Sequence, residues 1–176
     1  MSKEKSIVLI GFMGVGKSTI GRELANKYRR NFIDIDLEIE KIYGMETTEI
    51  FNVYGENAFR EKEKELSIYY ARQPGFIVSL GGGAFMNKEI RSICLSRGLV
   101  IYLDLSWEYW KDRISILVDS RPILQKKNID EIKELFYARK KLYLNHHLKI
   151  NMDDMNIEDT VTAVMEAIEK FSFKKQ

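Results

Sequence analysis

Cysteine is nearly absent. Cys94 is the only one, which excludes an intramolecular disulfide framework and any multi-cysteine zinc site and points to a reducing compartment. Histidine offers no metal site either: His146 and His147 are adjacent at a helix end, and no carboxylate or cysteine stands at ligand spacing from them. Net charge is close to nil, with 28 Lys and Arg against 26 Asp and Glu. A charge of +2 creates no whole-surface field for a polyanion, so nucleic acid is not an expected partner, although local basic pockets stay open. No apolar run approaches the roughly 20 residues that span a bilayer. The run 7–10 (IVLI) is broken by glycine and is too short for a signal sequence, so no membrane partner is expected and the expected location is the cytoplasm. Neither a repeat of fixed period nor a low-complexity tract is present. What remains is 176 residues, 45% hydrophobic and 31% charged. That composition predicts one domain, residues 1–176, that buries its own core, and it excludes disorder as the main state.

Five short β-branched apolar runs without alternation have the pattern of strands buried on both faces: 6–10 (SIVLI), 31–35 (NFIDI), 76–80 (FIVSL), 99–103 (LVIYL) and 147–152 (HLKINM). Charged segments of helical spacing separate them, at 17–28, 36–43, 48–54, 56–72, 87–97, 106–116, 130–146 and 157–171. Strand and helix in alternation predict an α/β domain of three layers, with helices on both sides of a parallel sheet. Ser106 and Asp130 are the expected caps of their helices. Segment 119–129 (DSRPILQKKNI) is the expected long mobile loop, and the tail 171–176 (FSFKKQ) is expected to fray.

The strongest chemical signal is Gly11-Phe12-Met13-Gly14-Val15-Gly16-Lys17-Ser18-Thr19. It satisfies G-x-x-x-x-G-K-[ST] directly after a predicted strand and directly before a predicted helix. Glycines let backbone N–H groups wrap a phosphate while the helix N-terminus aims its partial positive charge at the same anion. Gly14, Val15, Gly16, Lys17, Ser18 and Thr19 are therefore the expected ATP contacts, with Lys17 reaching the β and γ phosphates and Ser18 ligating Mg²⁺. A glycine turn without ligand would explain the glycines but not the Lys-Ser that follows. Asp34 and Asp36 alternate at the end of the second strand, which places both carboxylates on one face at the carboxyl edge of the sheet. Asp34 suits the metal and Asp36 an acceptor hydroxyl; the plainer alternative makes Asp36 a helix cap and leaves Asp34 solvated. Gly81, Gly82 and Gly83 close the third strand and let a ligand touch the backbone, unless they are only a flexible turn, and Ser79 lies just before them. Arg60, Arg121 and Arg139 are not selected by periodicity. Tyr69, Tyr70 and the charge run 61–65 (EKEKE) fit a helix with one packed and one solvated face, and Cys94 fits core filler.

Taken in order, GFMGVGKST, FIDID, FREKE, SLGGGA, RPIL and RKKLY resemble the shikimate kinase family through most of the chain. The resemblance implies a nucleoside-monophosphate-kinase-like fold with sheet order 2-3-1-4-5, a substrate-binding region near 36–62 and a lid near 112–127. It implies transfer of the γ-phosphoryl group of ATP to the 3-hydroxyl of shikimate, with ATP as co-substrate and Mg²⁺ as cofactor; a monomer is the expected unit, which the residues themselves do not fix. Asp36 then holds the hydroxyl, Arg60 and Arg139 clamp the carboxylate, and Gly81, Gly82 and Gly83 offer backbone contacts. Arg121 covers the ATP phosphates from the lid, and Arg113 stacks near adenine. The chain departs from the family pattern in two places. Residues 114–118 (ISILV) are more apolar than the family's lid, with one extra residue between Arg113 and Arg121, and NMDDMNIED lacks the proline common in the adenine loop. Two other readings compete: another small-molecule kinase on this scaffold, and a non-catalytic ATP-binding module.

Overall fold

Short strands of four to six residues, richest in isoleucine, valine and leucine at the centre of the sheet, set the architecture. The computed structural model describes residues 5–117, 124 and 127–173 of the chain. Strand β1 (Ile7–Ile10) lies at the centre, with every side chain buried. It pairs in parallel with β3 (Phe76–Ser79) on one side and β4 (Leu99–Asp104) on the other. The outer strands are β2 (Asn31–Asp34) and β5 (Leu148–Asn151), giving the order β2-β3-β1-β4-β5. Strands buried on both faces need cover on both. Helix α1 (Lys17–Tyr28) packs with α8 (Ile157–Phe173), and α3 (Thr47–Ala71) packs with α4 (Lys88–Arg97). The tail expected to fray is helical through Phe173.

Local chemistry explains most boundaries. Helix α2 (Ile35–Tyr43) starts on Asp34, whose carboxylate accepts the Leu37 N–H at 3.3 Å. The cap of α4 is Asn87, which accepts from Glu89 and Ile90. Helix α7 (Ile129–Tyr143) is capped by Asn128, two residues before the expected Asp130. Asn128 accepts from the Glu131 N–H, and Glu131 accepts from the Asn128 N–H; such a cap contributes about 1 kcal/mol. That reciprocal pair satisfies two donors where Asp130 would satisfy one. Helix α3 breaks at Gly55 (φ 81, ψ 161), where the sequence pattern also divides into 48–54 and 56–72.

The segment expected as one helix over 106–116 is instead α5 (Trp107–Trp110), a tight 3₁₀ turn at Lys111–Arg113 and α6 (Ile114–Leu117). Its path follows the glycine loop after β1. Trp110 Nε1 donates to the Met13 carbonyl at 2.6 Å, and Arg113 Nη1 donates to the Gly14 carbonyl at 2.7 Å. Cys94 is fully buried, and burial pushes its thiol up to about 12, as suits core filler. His147 Nδ1 accepts the Val100 N–H at 3.0 Å, which ties the start of β5 to β4. No described helix is long and apolar enough to cross a membrane.

Candidate active site

The glycine loop after β1 crosses the carboxyl edge of the sheet. Gly14 (φ 74) and Gly16 (φ 103) hold left-handed conformations that other residues seldom adopt. Helix α1 has no side-chain cap, so its first N–H groups are not taken up by a side chain, the arrangement that receives an anion. Lys17 is 7% exposed and arches back over the loop, donating to the Gly11 and Phe12 carbonyls at 2.9 Å each. The Val15 side chain is buried in the core, so its backbone is what it offers a phosphate.

Beside the loop, the Ser18 hydroxyl donates to the Asp34 carboxylate. Asp34 pairs with Ser79 across β2 and β3, which puts Ser79 at the same edge. Strand alternation does not bring the two aspartates together, contrary to the sequence expectation. β2 stops at Asp34, because that carboxylate caps α2, and Asp36 stands in the first helical turn. Asp34 is therefore the cap and Asp36 is not. Both still line one cleft together with Gly16, Lys17, Ser18 and Thr19. A hydroxyl beside a carboxylate is a hard-oxygen pair that suits Mg²⁺, which takes few protein ligands and keeps its waters. Among the described residues no group of three or more His, Cys, Asp or Glu could hold a metal by itself.

A second pocket opens on the other side of Asp36. It is lined by Arg60 from α3, Arg139 from α7 and the three glycines after β3. A methyl group on Gly83 would lie 3.2 Å from Arg60 Nη1 and 3.4 Å from Arg139 Nη2, so the two guanidiniums converge on one point of the backbone. Arg60 is braced by Glu63 at 2.9 Å and by Glu56 at 3.0 Å. Burial would lower its pKa, but the two glutamates outweigh that and raise it. Arg139 is 3% exposed, its Nε has no hydrogen-bond partner among the described residues, and burial, with Arg60 adding to it, pulls its pKa down. Two cations facing each other, one of them incompletely paired, make a seat for an anion. Phe51, Phe59 and Met13 supply apolar walls.

Glu63 is the member of this site that sequence reasoning missed. It is 3% exposed, not solvated with the rest of the run 61–65, and its Oε1 has no hydrogen-bond partner among the described residues. Burial raises its pKa, against the lowering by Arg60, and Asp36 raises it further. The signal was present in the spacing: Phe59, Glu63, Ser67 and Ala71 are four residues apart on α3, and all are buried.

Of the expected site residues, Asp36, Gly81 and Gly82 line both clefts, so Asp36 stands where they meet. Arg113 is placed on the Gly14 carbonyl, at the phosphate loop. Arg121 and most of the expected loop 119–129 lie outside the described residues.

Comparison with known proteins shows the family of the chain. A family model described as Shikimate kinase matches residues 13–169. A shikimate kinase of Oceanobacillus iheyensis is 51% identical over 166 residues, covering 94% of this chain and 91% of that protein. One of Bacillus subtilis is 47% identical over 167 residues, covering 94% and 90%. Among solved structures, shikimate kinase from Acinetobacter baumannii in complex with shikimate aligns with a TM-score of 0.87 at 31% identity, over 94% of this chain and 93% of that one. Shikimate kinase from Aquifex aeolicus gives 0.82 at 32% identity, over 96% and 98%.

Proposed function

This chain belongs to the shikimate kinase family, and from that premise we propose how its residues move the γ-phosphoryl group of ATP to the 3-hydroxyl of shikimate, giving shikimate 3-phosphate and ADP. The observation that carries the assignment is the convergence of Arg60 and Arg139 on Gly83, in a pocket that shares Asp36 with the phosphate cleft.

Arg60 and Arg139 hold the shikimate carboxylate, because guanidinium forks match a carboxylate in bidentate geometry and so fix the orientation of the ring. Gly81, Gly82 and Gly83 contact the ring through backbone. The hydroxyl to be phosphorylated then faces Asp36, which accepts its hydrogen bond and holds its proton as the oxygen attacks. ATP lies in the neighbouring cleft with its phosphates on Gly14 to Thr19. Lys17 exchanges its loop carbonyls for phosphate oxygens, and it and Arg121 spread the charge of the in-line transition state. Ser18 and Asp34 would hold Mg²⁺, which supplies neutralisation of phosphate charge when bound. Arg113, already on the phosphate loop, lies at the nucleotide side. A monomer is the working unit in this proposal. The unit is one domain over residues 1–176, with its substrate region near 36–62 and its lid near 112–127, working in the cytoplasm where a free buried thiol such as Cys94 is at home.

A coupled ADP-release assay with Mg-ATP tests the proposal, comparing shikimate with gluconate and nucleoside monophosphates. Shikimate-dependent release without a comparable response to the others is expected. A response to a control acceptor alone would remove Arg60 and Arg139 from the acceptor site.

A further inference from the structure

Three consecutive glycines are the least restrained backbone a chain can present, yet Gly81 to Gly83 form a wall of the acceptor pocket. Backbone N–H groups of Ala84 and Met86 hold the Gly81 and Gly83 carbonyls, each at 3.1 Å, and among the described residues a side chain holds the Gly82 carbonyl between them. Tyr143, 1% exposed at the end of α7, donates its hydroxyl to the Gly82 carbonyl. No peptide bond in the described residues is cis, so the Gly82 carbonyl and the Gly83 N–H belong to one planar trans unit and point in opposite directions. Pinning the oxygen therefore also sets where the Gly83 N–H points, away from Tyr143. Tyr143 follows Arg139 by four residues and shares its helix face. One turn of α7 thus presents a guanidinium to the pocket and fastens the opposing glycine loop.

The phenol is itself well held. Its ring lies 5.4 Å from that of Tyr102, whose hydroxyl donates to Asp104 at 2.6 Å. Asp104 is gripped by Lys140 and Lys149, each at 2.8 Å, and Lys140 is the residue after Arg139 on α7. Burial raises the phenol of Tyr143, so it stays protonated and able to donate throughout the working range of pH.

We infer that Tyr143 is a positioning residue for the acceptor, preorganising the Gly82–Gly83 peptide so that shikimate meets a loop already in its bound shape. The inference rests on the acceptor-site assignment made under Proposed function. Gly82 borders both clefts, but Gly83 lines the acceptor pocket and not the phosphate cleft, so fixing the direction of the Gly83 N–H acts on shikimate binding far more than on nucleotide binding.

The test is Tyr143→Phe, which keeps the ring and removes the hydroxyl, with kcat and the KM values for shikimate and ATP measured together. The shikimate KM should rise about tenfold, the order expected of one buried hydrogen bond. The ATP KM should stay within about twofold, and hydrogen exchange of the segment 81–84 should quicken. A purely structural role would lower the melting temperature and leave both KM values in place, and that result would overturn the inference. So would a parallel rise in both. Tyr102→Phe is the packing control: it leaves the Gly82 bond intact and should leave the shikimate KM within about twofold, and an equal rise there would also overturn the inference. Arg139→Ala separates the two claims. If it raises the shikimate KM while Tyr143→Phe does not, only the role of Tyr143 falls. If Arg139→Ala changes nothing, the acceptor site itself is misassigned and the inference falls with it.

Discussion

Gly81→Ala tests the site with the smallest perturbation available, a single methyl group. Gly81 does not have a positive φ, so alanine meets no backbone penalty there and the effect comes from contact alone. The added carbon would lie 2.5 Å from Asp36 Oδ1 and 2.8 Å from Glu63 Oε1. Both distances are roughly 1 Å short of van der Waals contact. Glu63 has little room to retreat, being buried and tied to Arg60, so Asp36 must move away from the acceptor hydroxyl. Overpacking of this kind costs about 1–3 kcal/mol of stability. A displacement of about 1 Å at a reacting group costs about 10²-fold in rate. The coupled ADP assay should therefore show kcat lowered about 10²-fold with the ATP KM within about twofold, in a protein that still melts cooperatively. Gly83→Ala is the counterpart. Its methyl would meet Arg60 Nη1 at 3.2 Å and Arg139 Nη2 at 3.4 Å, the far ends of long side chains that can give. It should raise the shikimate KM and leave kcat within about threefold, since Asp36 keeps its place. If Gly81→Ala retains kcat within about threefold of the parent, or if the two variants behave alike, Asp36 does not act where the structure puts it.

Two further outcomes follow from single side chains. Arg121→Ala should lower kcat by about 10²-fold with little change in the shikimate KM, as the loss of one charge-stabilising donor; an unchanged kcat would remove Arg121 from the transfer step. Burial alone would raise the Asp104 carboxyl, but hydrogen bonds from Lys140, Lys149 and Tyr102 outweigh it and hold it below the usual range. Its pKa is thus lower folded than unfolded, so its stabilisation is complete above about pH 4 and is lost as pH falls through the folded value. Asp104→Asn should cost about 1–2 kcal/mol at pH 7, discounted for its half-exposed lysine partners, and thermal melts should show the gap closing below about pH 4. A gap that persists unchanged at pH 3 would rule out an ionised Asp104 as its source.

The positions of the five strands, the phosphate loop, the break of α3 at Gly55 and the burial of Cys94 could all be read from residue order, because each obeys a local rule. Apolar runs bounded by glycine and charge mark buried strands, and G-x-x-x-x-G-K-[ST] between a strand and a helix carries its own geometry. The order of those strands could not be read from patterning. Strand and helix in alternation fit several arrangements, and 2-3-1-4-5 came only from the likeness of motifs such as SLGGGA and RKKLY to one family. Some local readings failed because two local rules competed. Asp34 ends β2 by capping α2, so Asp36 reaches the cleft from a helix rather than along a strand, and Asn128 outcompetes Asp130 because Glu131 can answer it. Glu63 was masked by its charged neighbours, although its spacing from Phe59 and Ser67 marked the inner face of α3. The pairing of Arg60 with Arg139, the placing of Asp36 between two clefts and the fastening of Gly82 by Tyr143 had no local signature at all. Each joins residues from different elements, and the distance between such residues depends on how helices pack across the sheet, a non-local outcome that no window of sequence contains.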